Sequence, residues 1–200
     1  MADAAGALRE AVEPLALISS LALAFALAAS AGLRAWLPLL ITGLLARAGF
    51  VPVGESFAFL SSTPALIVFG VATVLELLGD KIPVVDHALD AASTFVRPAA
   101  GVLLAASVMW QIHDPMWALA LGLIVGAPAA AVPHVVKSGT RAASTMATGG
   151  LANPIISFFE DVIAGAMVLL AVVVPIFAAL VIGAVAWFAV KRVRSRRTAI

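Results

Sequence analysis

Apolar runs long enough to cross a bilayer recur along most of this chain, and no other feature limits its fold as strongly. LALISSLALAFALAASAGL (15–33), AWLPLLITGLLARAGF (35–50), the run from 64 to 82, GVLLAASVMWQI (101–112), MWALALGLIVGAPAAAVPHVV (116–136) and the stretch from 155 to 190 follow one another with short polar breaks. Successive runs, several of about 18 residues or more, specify a multi-pass α-helical membrane protein. A transmembrane β-barrel would alternate in segments of about 10 residues, and nothing here alternates. The chain is 63% hydrophobic with only 12% charged residues, against about a quarter charged in soluble domains. An ordinary soluble fold is excluded. The expected fold is all-α: a polytopic transmembrane helical bundle of about five to seven membrane segments, some broken or re-entrant.

The whole chain, 1–200, reads as a single integral membrane domain, with an N-terminal segment at 1–14, the bundle at 15–190 and a basic tail at 191–200. The first apolar run imitates a signal peptide with a small-residue cleavage site near Ala29. The chain stays apolar beyond it, so the run is read as the first span. Residues 15–50 are too long for one straight crossing of a core about 30 Å thick, which predicts a break near Ser30-Ala31-Gly32. Thr63-Pro64 and Asn153-Pro154 both read as a helix cap followed by proline. Pro83 and Pro98 would open and close a short segment. His113-Asp114-Pro115 reads as a tight turn, and residues 137–153 as a small-residue loop with Gly149 and Gly150 as its flexible point. The tail carries Lys191, Arg192, Arg194, Arg196 and Arg197, which the positive-inside rule places in the cytoplasm of a bacterial inner membrane. Trp36, Trp110, Trp117 and Trp187 fall near span ends, as an interfacial belt would place them. AGLRA (31–35) is echoed by SGTRA (138–142) and STPALIVFG (62–70) by ANPIISFFE (152–160), which leaves a weak internal duplication open.

Charge is concentrated in two places. In LELLGDKIPVVDHALD (75–90), Glu76 and Asp80 share a face near the end of one helix. After Pro83, Asp86, Asp90, Thr94 and Arg97 are spaced by four, four and three, the polar stripe of a short amphipathic helix. In the second cluster, Asn153, Ser157 and Asp161 are spaced by four, with Glu160 alongside. An ionised carboxylate in hydrocarbon costs at least about 2.5 kcal/mol, so such groups are paired, hydrated or functional. Arg34, Lys81, Arg97 and Arg141 are the available partners, and the acidic residues outnumber them. That surplus suits a cation, a proton pathway or a metal-bound phosphate. Against this stands a purely structural role, in which the charges pair only among themselves or favour a helix terminus.

The absence of cysteine removes disulfides, thiolate metal sites and cysteine nucleophiles. His87 lies close to Asp86 and Asp90, yet this is no dense metal motif; no cofactor is expected, with a divalent cation left open. His113 and His134 read as interfacial. No nucleic-acid partner is expected; the partners are the lipid bilayer, a small ion or solute, and a second copy of the chain if it oligomerises.

SAGLRAWLPLL, ELLGDKIPVVDHALDAASTFVRP and STMATGGLANPIISFFEDV together resemble a bacterial multi-pass membrane family catalogued as domain of unknown function 4126. The resemblance runs from about Ser30 through Pro175 and leaves the KRVRSRR tail outside. It implies that Arg34, Glu76, Asp80, Lys81, Pro83, Asp86, Asp90, Arg97, Gly149, Gly150, Asn153, Pro154, Glu160 and Asp161 match the family pattern, and it brings no activity with it.

The leading reading is a small transporter or channel-like protein whose acidic site, built from Glu76, Asp80, Glu160 and Asp161, binds a cation or carries protons. Arg34 and Arg97 would hold those carboxylates or an anionic substrate group. One alternative is a non-catalytic scaffold or subunit with structural charges. The other is an intramembrane enzyme acting on a lipid phosphate, with Asp86 and Asp90 on Mg²⁺. No nucleophile–base pair is visible, which weighs against an enzyme.

Overall fold

The computed structural model describes residues 2–80 and 83–174, with side chains over 14–80 and 92–174. Among the described residues there are six α-helices, one 3₁₀ segment and no strand. They are α1 Ala2–Leu33, α2 Trp36–Arg47, the 3₁₀ segment Glu55–Ser61, α3 Thr63–Gly79, α4 Pro83–Val108, α5 Pro115–Thr148 and α6 Asn153–Val174. Lys81, Pro175, Trp187 and the basic tail lie outside the described residues, and Asp86, His87 and Asp90 are described as backbone positions of α4 only.

Pro14–Leu33 of α1, all of α5 and all of α6 are long and apolar enough to cross a bilayer. At about 1.5 Å per residue, a helix of some 20 residues rises about 30 Å, the thickness of a hydrocarbon core. The 3₁₀ segment and α3, bent by 57° between them, make a fourth crossing when taken together. Trp36–Arg47 and Ala92–Val108 are apolar but shorter. The protein is a membrane-embedded helical bundle. Its outward faces are apolar, with Ile67, Val71, Leu75, Leu123, Ile124 and Leu170 all exposed.

Successive helices alternate in direction. The C-terminal ends of α1 and α3, the second half of α5 and the early turns of α2, α4 and α6 therefore gather at one end of the bundle. The closest packing is among α1, α4 and α5, and small residues make it close. A Cβ on Gly126 would lie 2.3 Å from the Gly101 carbonyl oxygen, and one on Gly32 would lie 2.1 Å from that of Ala130. Only glycine lets these backbones touch, the usual way membrane helices gain dispersion contact where no hydrophobic drive separates lipid from protein.

Local signals place most helix ends. Asp114 caps α5, its carboxylate accepting from the Met116 and Trp117 amides at 2.8 and 3.4 Å, with Pro115 at the first position. Gly149 ends α5 in the left-handed region at φ 64°, and Gly150 follows at φ 88°. These two glycines, expected as a flexible point, form a defined turn into α6. The cap of α3 is Ser62, which accepts from the Ala65 amide at 3.3 Å. Thr63, expected in that role, instead accepts from Arg47 at 2.7 Å.

Three expectations are corrected. The first apolar stretch breaks at Arg34-Ala35, past the small residues at 30–32, which stay helical in α1. Pro98 does not close a short segment: α4 runs through it as one helix from Pro83 to Val108. The region 137–148 is no loop but the last turns of α5, which also carries Pro128 and Pro133 internally. A proline removes one helical hydrogen bond and adds a local clash. Packing against neighbouring helices compensates where water cannot compete for the backbone.

Candidate functional site

One face of α5 organises the site. Its buried residues are Ala118, Gly122, Gly126, Ala129 and Ala130, then His134, Lys137 and Arg141. The same spacing of three and four that packs glycine and alanine against α4 and α1 thus carries a histidine and two cations into the protein. Lys137 is 2% exposed, while its chain neighbours Val135 and Val136 are 67% and 61% exposed on the outside. The exposed Leu78, Phe158 and Phe159 likewise flank the buried Asp80 and Glu160. At this level the bundle is ionic inside and apolar outside.

The charges meet around two carboxylates. Asp80, the residue that ends α3, receives Arg34, Lys137 at 3.1 Å and Arg141 at 3.0 Å, all on Oδ2. Glu160 Oε2 on α6 receives Arg141 at 2.8 Å and Lys137 at 3.3 Å, with Arg34 at 3.9 Å. Lys137 and Arg141 therefore each touch both carboxylates. Arg34, entirely buried, fans out at the α1–α2 break. It contacts Asp161 Oδ1 at 2.5 Å and donates to Ser157 Oγ at 2.7 Å. Its Nε is buried with no hydrogen-bond partner among the described residues. Lys137 also reaches the Leu33 carbonyl at 3.4 Å, at the C-terminus of α1.

Glu76 does a different job. Its two carboxylate oxygens accept from the Ala35 and Trp36 amides at 3.1 and 3.3 Å. Those amides start α2 and have no helical acceptor of their own, and a carboxylate there also matches the helix dipole. Glu76 thus seals the break between α1 and α2. Arg97 NH2 stands 3.9 Å from Glu76 Oε1, and its NH1 donates to His134 Nδ1 at 2.6 Å. An arginine can only donate, so Nδ1 is the acceptor. The Arg97 end of the stripe on α4 therefore turns into the bundle.

Of the expected site residues, Arg34, Glu76, Asp80, Arg97, Glu160 and Asp161 come together. Asn153 does not join them: its Nδ2 donates to Thr145 Oγ1 at 3.0 Å, within the α5–α6 turn. Lys81, and the side chains of Asp86 and Asp90, lie outside the described residues. Lys137 was missed as a site residue because a polar stretch after an apolar run looks like a loop, and His134 because a lone histidine near the end of an apolar run reads as interfacial. The signal was present in the spacing of 118, 122, 126, 130, 134, 137 and 141, which carries the helix through. The interfacial reading of His134 is corrected, since it is buried, whereas Trp36 is the first residue of α2 and packs on Phe69 with ring centroids 6.3 Å apart.

Lys137 and Arg141 change the electrostatics of the site. Arg34, Arg97, Lys137 and Arg141 stand against Glu76, Asp80, Glu160 and Asp161, four cations against four carboxylates. The negative surplus expected from sequence is absent from this group. No set of three or more acidic or histidine side chains among the described residues is placed to hold a metal ion.

A family model described as a domain of unknown function, DUF4126, matches residues 21–195. The match takes in every residue of the network and reaches further than the resemblance suggested, into the start of the basic tail. No curated protein and no solved structure matches the chain.

Proposed function

The chain belongs to the DUF4126 family, and from that starting point we propose that it is a small transporter or channel-like protein of the bacterial inner membrane. Its buried ion network would take up and pass on a proton. One observation carries the reading: Lys137 and Arg141 each contact both Asp80 and Glu160. Protonating either carboxylate leaves every cation in contact with a charged carboxylate, so the one excess positive charge is shared across the network rather than left on a single unpaired cation. Stranding one is what normally makes such changes prohibitive. The balance of four and four favours a proton over a resident metal cation, because a divalent ion would add two uncompensated charges to a dry site.

Stability alone gives little reason to keep eight charges here. Replacing buried ion pairs by well-packed apolar side chains is often neutral or stabilising, and ionisable groups inside a membrane are functional by default. A second reading has its own support. Glu76 capping α2, and a cluster in which opposite charges balance, suit a scaffold whose charges only fix helix positions.

Proteoliposomes separate the two. Wild-type protein is reconstituted with a trapped pH-reporting dye, and a potassium diffusion potential is imposed with valinomycin. The transporter reading expects proton entry above that of empty liposomes, lost in a Glu160→Gln protein that still folds. Wild type with no flux above background, or Glu160→Gln conducting as wild type, would leave the scaffold reading in its place. The basic tail puts the C-terminus in the cytoplasm.

A further inference from the structure

The opposite end of the bundle holds two adjoining cavities that the network does not use. One, of about 310 Å³, is lined by Glu55, Ser56, Phe57, Trp110 and His113 among others. The second, of about 120 Å³, lies between α1, α6 and the segment after α2, and is lined by Leu23, Phe50, Val51, Ala171 and Val172. Pro52 and Trp110 line both, so the two spaces adjoin at these residues.

Two hydrogen bonds onto backbone carbonyls fix the walls. The Gly54 amide donates to the Ser107 carbonyl at 2.8 Å, tying the loop before the 3₁₀ segment to the last turn of α4. Gln111 donates to the Ala16 carbonyl at 3.1 Å, tying the α4–α5 connection to α1. Exposed Phe50, Phe59, Trp110 and Trp117 surround this end. Exposed aromatics of this kind favour the headgroup level of a bilayer, where a cavity would open toward headgroups and its apolar extension toward acyl chains.

We propose that the two cavities together bind an amphiphile with a positively charged amine head and a hydrocarbon tail. The head would sit with Glu55, Ser56, His113 and Trp110, and the tail between Leu23, Val51 and Val172. The sign of the head follows from the lining. Among the described residues that line the cavities, Glu55 is the one carboxylate and none is a lysine or an arginine, and an indole attracts cations through its ring face. The tail follows from the second cavity, whose lining is aliphatic or aromatic apart from Ser19 and Ser20. A free amine and an amine-bearing lipid share the head chemistry; the adjoining apolar cavity assigns the site to the lipid-like form.

The test is made on purified full-length protein in a non-ionic detergent, reading melting temperature and tryptophan fluorescence. The probes are dodecylammonium chloride, ethylammonium chloride and sodium dodecanoate. Dodecylammonium is expected to raise the melting temperature by binding the folded state and to change the fluorescence, with the fluorescence response lost in Trp110→Phe. Ethylammonium is expected to bind at least about tenfold more weakly, since each buried methylene contributes. Dodecanoate is expected to give no shift. Glu55→Gln should weaken dodecylammonium by about fivefold, the worth of one partly exposed charge pair. Ala171→Phe, which fills the apolar cavity, should remove the advantage of the long chain while ethylammonium is unaffected; Ala171→Leu serves if the larger residue prevents folding. Equal binding of dodecanoate, or an unchanged affinity in Glu55→Gln, overturns the cationic head. Ethylammonium binding as tightly as dodecylammonium, or a folded Ala171 variant that keeps the long-chain advantage, overturns the lipid-like tail.

Discussion

Removing Asp80 and removing one of its cations should have unequal effects, and the inequality follows from the contact geometry. Asp80→Asn takes away the acceptor on which Arg34, Lys137 and Arg141 converge. Three cations then share Glu160 and Asp161, and the network holds one uncompensated positive charge in the buried interior of the bundle. Breaking a buried pair from one side in this way costs about 3–5 kcal/mol. Lys137→Met removes a cation whose two carboxylates keep Arg34 and Arg141, and its aliphatic stem is replaced by a side chain of similar volume. Its cost should fall at or below about 3 kcal/mol, the lower edge of that range. The double variant Asp80→Asn/Lys137→Met restores the charge balance. Its destabilisation should be smaller than the sum of the singles by about 1–3 kcal/mol, a coupling typical of residues in one network. The assay is equilibrium unfolding of the three variants and wild type in mixed detergent micelles. Single effects that add within about 0.5 kcal/mol, as independent sites do, would refute the shared network. A Lys137→Met protein less stable than Asp80→Asn would refute the ranking. The double variant also bears on function, since a proton path would stay broken in a protein whose stability has returned.

Two other outcomes follow from the packing and the helix directions. Gly126→Val should prevent α4 and α5 from closing, because its Cβ would lie 2.3 Å from the Gly101 carbonyl oxygen; Gly165→Ala, with nothing within 4 Å, should melt within about 0.5 kcal/mol of wild type. Monodisperse yield after solubilisation and the melting temperature read both, and a well-folded Gly126→Val would contradict the backbone contact. The chain has no cysteine, so single Ser56→Cys and Leu151→Cys variants report without background on the two ends of the bundle. A membrane-impermeant maleimide added to sealed, oriented vesicles should label one and not the other, and labelling of both from the same side would rule out the alternating helix directions.

Hydrophobic length and turn chemistry act locally, so the sequence by itself determined that this is a helical membrane protein. It also determined some helix ends: Pro115 behind the Asp114 cap, and the break between α1 and α2 to within a few residues. The intramembrane charges were equally legible, because a carboxylate inside an apolar run is conspicuous wherever the chain folds. What the sequence left undecided depended on contacts between residues far apart in the chain. Composition made the stretch from Lys137 onward look like a loop, and only its packing against α1, α3 and α6 shows that Lys137 and Arg141 complete the face begun by Gly122 and Gly126. Pro98 looked like a helix end until tertiary packing carried α4 through it. Glu76 looked like a site carboxylate, and the fold set it on the free amides of α2. Whether the buried charge was in surplus or in balance could not be read from residue counts, because Coulomb interactions depend on which groups share a dry interior. That sharing was decided only when α1, α3, α4, α5 and α6 brought their polar faces to one end of the bundle.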